Sequence, residues 1–129
     1  MKPKRNNRII LAGGTGFLGG ILTRHFHRKG WKVVVLTRGA AREEKRASFI
    51  HWDGRSIGPW TAAITGATAI VNLAGLSVDC RYHARNRRRI LDSRVDSTRV
   101  LGEAIENCEA PPPAWLNSST ATIYRHSFD

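Results

Sequence analysis

A glycine-rich turn between an apolar strand and an amphipathic helix limits the fold of this chain more than any other segment. The run from Arg8 to Ala12 predicts a short buried strand, and Phe17 to Lys29 places its apolar residues on one helical face. Between them, Gly13 permits a tight turn, Gly16 lets a pyrophosphate approach the backbone, and Gly19 lets helix and strand pack closely. The helix N-terminus offers N–H groups to an anion. This order predicts a dinucleotide site, and a glycine-rich turn without a ligand is the alternative.

Further strands and helices alternate along the rest of the chain. The predicted strands after the first are Trp31 to Thr37, Ser48 to Trp52, Ala69 to Leu73 and Trp115 to Asn117. The charged stretch Arg38 to Arg46 predicts a loop with a short helix, and Arg85 to Asn107 predicts a long helix. We therefore expect an α/β fold, a Rossmann-type doubly wound parallel sheet with five strands in the order 3-2-1-4-5.

Composition limits the size and class of the protein. The chain has 129 residues, with 21 Lys and Arg against 10 Asp and Glu, which gives a formal net charge of +11. This length fits one domain and excludes a two-domain enzyme of about 250 residues or more. Two cysteines, Cys80 and Cys108, are too few for a disulfide scaffold, and we expect reduced thiols in a cytoplasmic protein. The apolar stretch after the basic start contains five glycines and is too short to cross a membrane.

The basic charge raises the question of nucleic-acid binding. Seven arginines lie between Arg81 and Arg99, which could form a phosphate-binding face. The basic residues are nevertheless spread along the whole chain, and no nucleic-acid-binding motif accompanies them. We favour a solvated, arginine-rich helix and expect no nucleic-acid partner. The five histidines show no metal-ligand spacing with the cysteines, so we expect no metal site.

Several segments together resemble a known family. They are GGTGFLG at 13–19, VVVLTR at 33–38, WDG at 52–54, VNLAG at 71–75, ILDSRV at 90–95 with Thr98, and AWLNSSTATIY at 114–124. In this order they resemble the extended and atypical short-chain dehydrogenase/reductases of the NAD(P)-dependent epimerase/dehydratase superfamily. The narrower resemblance is to the epimerase family proteins, whose substrate is generally unassigned. It covers the chain from Ile9 to Tyr124.

The end of the second strand bears on the choice of cofactor. NAD-binding members of this fold place a carboxylate there to hold the ribose 2′-hydroxyl, but this chain has Thr37 and Arg38, with no carboxylate until Glu43. A guanidinium pairs with a 2′-phosphate, so we predict NADP(H) in preference to NAD(H). A solvated surface arginine is the alternative interpretation of Arg38.

From the glycine-rich turn and the resemblance we predict a set of cofactor-binding residues. The resemblance implies that Asp53 contacts the adenine amino group and that the segment after the fourth strand lines the cofactor. The full set is Gly13, Thr15, Gly16, Phe17, Leu18, Gly19, Thr37, Arg38, Asp53, Asn72, Leu73, Ala74 and Gly75.

The resemblance also implies a catalytic hydroxyl. Counting back from Tyr124, Thr120 falls on the family's catalytic Ser/Thr, which hydrogen-bonds the substrate oxygen while a tyrosine acts as general acid or base. A Ser/Thr-rich strand end that satisfies local backbone groups is the alternative. Tyr124 matches the tyrosine of the strand-end segment rather than a Y-x-x-x-K motif, and no lysine follows Lys45.

These matches imply the N-terminal half of a larger enzyme. We assign residues 1–8 to a basic tail and 9–129 to an incomplete NAD(P)-binding domain that lacks the catalytic and substrate-binding C-terminal region. The larger enzyme is expected to transfer hydride to or from an unidentified small molecule, such as a nucleotide sugar, while this chain alone is inactive. A non-catalytic NADP-binding module that senses redox state is the alternative, and a homodimer through the long helix is left open.

Overall fold

A computed structural model describes residues 7–74 and 84–118 of the protein. Its elements are β1 (Arg8–Ala12), α1 (Phe17–Arg28), β2 (Lys32–Thr37), β3 (Arg42–Glu43), β4 (Ser48–His51), a 3₁₀ helix (Pro59–Ala63), β5 (Ala69–Asn72), α2 (Ala84–Glu106) and β6 (Ala114–Asn117). The strands form one six-stranded sheet in the order β3-β4-β2-β1-β5-β6. All neighbouring strands run parallel except β3 and β4, which are antiparallel.

The five predicted strands are present as β1, β2, β4, β5 and β6, and their predicted order 3-2-1-4-5 is confirmed. The prediction was wrong for the charged stretch between β2 and β4. Instead of a short helix, this stretch contains the edge strand β3, so the sheet has six strands and a mixed edge. The Glu44 N–H donates to the Ala47 carbonyl at 3.0 Å, and the Ser48 hydroxyl donates to Glu43 at 2.8 Å. These local hydrogen bonds close a tight hairpin between β3 and β4. The charged stretch that contains β3 has no apolar periodicity from which a strand could be predicted.

Successive residues of the central strands point to opposite faces of the sheet and form two separate hydrophobic cores. On one side of the sheet, Ile10 and Ile70 are fully buried in a cluster with Leu101 of α2. On the other side, Ile9 and Leu11 belong to a cluster that includes the apolar face of α1. Parallel strands that are buried on both faces have continuous apolar sequences, as these strands do. The helices therefore cover opposite faces and leave the ends of the strands free for a site.

The packing of α1 against the preceding turn depends on Gly19. A Cβ at Gly19 would overlap the backbone of Gly14, with the Gly14 Cα only 2.6 Å away. Real Cβ atoms do not approach a backbone so closely, and neither backbone segment can move without separating the helix from the strand. Gly19 therefore fixes where α1 begins relative to β1.

The turn after β4 is held by the carboxylate of Asp53. Its Oδ1 accepts the backbone N–H groups of Arg55 and Ser56, both at 2.8 Å. Gly54 within this turn has φ +75°, which disfavours any residue with a side chain. The N–H donors of Arg55 and Ser56 stabilise the ionised carboxylate and lower the pKa of Asp53 from 3.8 to about 2.

Two glycines of α1 provide a matched test of the helix-strand contact. We expect Gly19→Ala to lower the free energy of unfolding by about 2 kcal/mol or more, because the added methyl group overlaps Gly14. Gly20→Ala adds the same group to the same helix with only the Arg24 Nη1 nearby, at 3.8 Å. It should raise the free energy of unfolding by about 0.5–1 kcal/mol through helix propensity. Urea denaturation followed by circular dichroism measures both, and equal effects would contradict the packing argument.

The Asp53 turn predicts a dependence of stability on pH. Because folding lowers the Asp53 pKa from 3.8 to about 2, the ionised carboxylate stabilises the native state above pH 4. This contribution is lost as the pH falls from 4 to 2. We expect Asp53→Asn to reduce the free energy of unfolding by about 1 kcal/mol at pH 7, a small value because the carboxylate is exposed. The difference between the two proteins should shrink towards pH 2, and a difference independent of pH would refute the assignment.

Candidate functional site

A cleft opens at the carboxyl ends of the central parallel strands. Its volume is about 310 Å³. It lies above β1, where the strand order reverses: β2 pairs with one side of β1 and β5 pairs with the other. The lining residues are Gly13, Thr15, Thr37, Arg38, Gly39, Trp52, Gly54, Leu73, Ala74 and Ser97. In open α/β sheets, this reversal of strand order is where ligands bind.

The floor of the cleft is formed by backbone. Gly13, with φ +71°, follows β1, and its N–H donates to the Leu36 carbonyl at 2.8 Å. A Cβ at Gly13 would lie 2.7 Å from the Cα of Ala74, so the turn after β1 touches the end of β5 directly. This contact leaves no space for a side chain and exposes main chain to whatever occupies the cleft.

The N-terminus of α1 faces open space. Gly16 is its N-cap residue and forms no side-chain cap, and the first turn contains no acidic residue. A Cβ at Gly16 would meet nothing within 4 Å. Phe17 and Leu18 begin the helix with exposed side chains. The N–H groups of the first turn are thus available to an anionic ligand, favoured by the helix dipole.

Arg38 contributes the cationic side chain of the cleft. It follows the last residue of β2, and its Nη2 lies 3.8 Å from the Cβ position of Gly54, so the guanidinium rests on the turn after β4. Thr37 is buried, and its hydroxyl accepts the Gly39 N–H at 3.0 Å. The Thr37 side chain therefore shapes the turn that carries Arg38.

Asn72 is a buried cross-link rather than a wall of the cleft. It is 4% exposed, its Nδ2 donates to Asn117 of β6 at 3.0 Å, and its Oδ1 accepts the Ala74 N–H at 3.0 Å. Longer hydrogen bonds join the same Nδ2 to Ser97 and Thr98 of α2, at 3.4 and 3.5 Å. These bonds fix the backbone of Ala74 at the floor of the cleft.

The structure brings most of the predicted cofactor residues together. Thr15, Thr37, Arg38, Leu73 and Ala74 line the cleft with Gly13, while Gly16, Phe17, Leu18 and Gly19 form the adjoining start of α1. Asp53 lines a neighbouring hollow, and its Oδ1 is already engaged in its own turn. The predicted residues Gly75 and Thr120 lie outside the described part of the chain.

Sequence reasoning missed four of the described residues that line the cleft: Gly39, Trp52, Gly54 and Ser97. Trp52 packs against Trp60, at 5.3 Å between ring centroids, and also lines the cleft. Gly54 lies in the WDG segment, from which only Asp53 was assigned to the cofactor, whereas Gly39 and Ser97 belong to none of the family segments. Ser97 lies one turn before the buried Val100 and Leu101 on α2, so helical spacing alone could have placed it facing the sheet.

Within residues 7–74 and 84–118, no group of His, Cys, Asp and Glu side chains is arranged to hold a metal ion. In the same ranges, neither α1 nor α2 combines the length and apolar character that a membrane-crossing helix needs.

Comparison with known proteins identifies similar sequences along almost all of the chain. The epimerase family protein YfhF of Bacillus subtilis is 31% identical over 122 residues, which cover 94% of this chain and 40% of that protein. The human epimerase family protein SDR39U1 is 30% identical over 125 residues, which cover 93% of this chain and 39% of that protein. The chain thus spans about two fifths of the length of these curated relatives.

Solved structures agree with the fold. The crystal structure of human SDR39U1 (isoform 2) with NADPH matches with a TM-score of 0.76 and 29% identity, over 93% of this chain and 39% of that one. Uronate dehydrogenase from Agrobacterium tumefaciens matches with a TM-score of 0.68 and 18% identity, over 88% of this chain and 41% of that one, and shows the fold alone. The family model described as NAD dependent epimerase/dehydratase family matches residues 9–128. The chain therefore belongs to the NAD dependent epimerase/dehydratase family.

Proposed function

We propose that this chain is the NADP(H)-binding portion of an epimerase- or oxidoreductase-like short-chain dehydrogenase/reductase. One observation carries the choice of cofactor: among the described residues that line the cleft, Arg38 has the only charged side chain. NAD-binding members of this fold use a carboxylate at that position, which repels a 2′-phosphate, whereas a guanidinium pairs with it. The NADPH in the human relative's crystal structure supports the same preference, although a more distant neighbour was solved with NAD.

The backbone at the floor of the cleft and the open start of α1 support the proposal of a dinucleotide ligand. Because Gly13 packs directly on Ala74, the floor offers backbone and small side chains against which a ribose can lie. The open space at Gly16 leaves room for a pyrophosphate to reach the N–H groups of α1. Leu73 adds an apolar surface beside them. When bound, the nicotinamide supplies or accepts a hydride.

The proposed reaction requires groups beyond those of the cleft. Thr120, outside the described residues, is proposed to hydrogen-bond the substrate oxygen, in a full-length enzyme acting on an unidentified substrate such as a nucleotide sugar. The described lining of the cleft contains no carboxylate, imidazole, thiol, phenol or amine that could act as general acid or base. For this reason we propose that the chain alone binds the cofactor without turnover.

The same observation favours a second candidate function. A module whose cleft binds NADP(H) but has no acid or base in its lining is suited to sensing the redox state of the nicotinamide pool. A tyrosine and lysine, or a substitute pair, in further sequence of the full-length protein would favour the enzyme.

Two further features of the function are proposals of the same kind. We propose a cytoplasmic location, since Cys108 carries a free thiol, as a reducing compartment allows. A homodimer is proposed because Leu91 and Val95, 60% and 53% exposed, lie one turn apart on α2. We propose no nucleic-acid partner.

Substitution of Arg38 tests the cofactor preference. We expect Arg38→Ala to weaken NADPH binding about tenfold, because it removes the guanidinium that pairs with the 2′-phosphate, and to leave NADH binding nearly unchanged. Fluorescence titration of both nucleotides measures the ratio of the two affinities. Arg28→Ala, in the last turn of α1 at the end remote from the cleft, is the matched control. If Arg38→Ala leaves the NADPH to NADH ratio at the wild-type value, the proposed preference is wrong.

A further inference from the structure

The six-stranded sheet has two unlike edges. At one edge, the short strand β3 carries Arg42 and Glu43, and charged side chains of this kind discourage pairing with another chain. At the other edge lies β6, whose residues Ala114–Asn117 include neither a charged residue nor a proline. All of them are exposed, and among the described residues no strand pairs with the outer side of β6. The β6 edge is therefore unprotected.

The backbone of β6 points outward at two positions. The Ser118 N–H donates to the Asn72 carbonyl at 2.8 Å, so Ser118 and Leu116, two residues before it, direct their backbone groups towards β5. Because these groups alternate sides along a strand, the N–H and C=O of Trp115 and Asn117 point away from the sheet. They are in position to pair with a strand added at the edge.

The side chains of β6 place apolar surface on both faces of this edge. Leu116 is 57% exposed on the face that bears α1. Trp115 is 38% exposed on the face that bears α2, where its Cη2 lies 3.4 Å from the Cβ position of Gly102. Leu91 and Val95 fall on the same side of α2 as Gly102, and both are exposed. An apolar stripe of α2 thus leads to the β6 edge.

We propose that the β6 edge binds the β6 edge of a second copy of this chain, in antiparallel register about a two-fold axis at Leu116. Trp115 then exchanges backbone hydrogen bonds with Asn117 of the second copy, and Asn117 does so with Trp115 of the second copy. The two Leu116 side chains face each other in a non-hydrogen-bonded pair, with Cα atoms about 4.5 Å apart. The two sheets join into one, and both α2 stripes lie on the same face of it.

The inference rests on the proposed homodimer and deepens it, because exposed residues of α2 alone do not fix how two copies are oriented. A two-fold axis places the same strand on both sides, so the outward donors of one copy meet the outward acceptors of the other. Two copies with a net charge of +11 repel each other overall. The uncharged β6 edge lets them approach without like charges directly opposite, which would destabilise the strand pair.

Charges introduced at Leu116 test this register. We expect the wild-type chain to form a dimer in analytical ultracentrifugation, and Leu116→Lys and Leu116→Glu each to weaken it about tenfold or more, because like charges then face each other. Mixing the two variants in equal amounts should restore the dimer, since opposite charges then meet. Ile57→Lys makes a similar change at a site 48% exposed between β4 and the 3₁₀ helix, and is the matched control. Circular dichroism verifies that the variants fold.

The dependence on salt provides a second measurement. The dimer should strengthen as NaCl rises from about 50 to about 500 mM, because salt screens the repulsion between two positively charged copies. A dimer that weakens over this range is held together by charged groups, and this result would overturn pairing through the uncharged edge.

The remaining outcomes separate the inference from the proposals on which it builds. If Val95→Lys breaks the dimer while Leu116→Lys leaves it intact, the contact lies on α2 alone, so the edge pairing is wrong and the proposed homodimer stands. A mixture of the two Leu116 variants that stays monomeric also overturns the inference. A wild-type chain that is monomeric at about 100 µM overturns both the inference and the homodimer, and leaves the edge to another segment or another protein. The NADP(H) proposal is tested separately by the titration of Arg38→Ala.

Discussion

The close approach of backbone segments at the glycine-rich turn is the constraint on which the rest of the structure depends. Gly19 brings α1 against Gly14, and Gly13 brings the same turn against Ala74 at the end of β5. Both contacts are closer than any Cβ permits, so they exist only because hydrogen replaces a side chain. They set the distance between β1, α1 and β5, and the cleft is the space that remains above them.

Polar side chains near the cleft act mostly through the backbone. Asn72 anchors Ala74, Asp53 anchors the N–H groups of Arg55 and Ser56, and Thr37 anchors Gly39. The backbone at these described positions is thus held by hydrogen bonds within the protein, which reduces the entropy that binding of a ligand would remove. The guanidinium groups of Arg38, Arg55 and Arg89 are left exposed on this fixed frame.

Local sequence patterns were sufficient to predict those elements whose formation depends on residues close together in the chain. Continuous β-branched runs identified the buried strands, and the spacing of glycines identified the turn between β1 and α1. They failed at β3, whose Arg42 and Glu43 have no apolar period, because a hairpin hydrogen bond and the ring of Phe49 hold it in place. The hydrogen bonds by which Asn72 joins β5 to β6 and α2 also followed from no local pattern, and its predicted contact with the cofactor stays a prediction.

The sequence by itself determined the class of fold, the order of its parallel strands and the position of the glycine-rich turn beside the cleft. These follow from hydrophobic periodicity and from glycines, whose effects act over a few residues. Only the tertiary structure decided which charged groups meet. Arg38, Arg55 and Arg89 are separated along the chain and share no motif. They line one pocket because β2 ends, and the N-terminal half of α2 lies, at the edge of the sheet where the Asp53 turn is found. Charge interactions depend on distance in space, which sequence spacing does not encode.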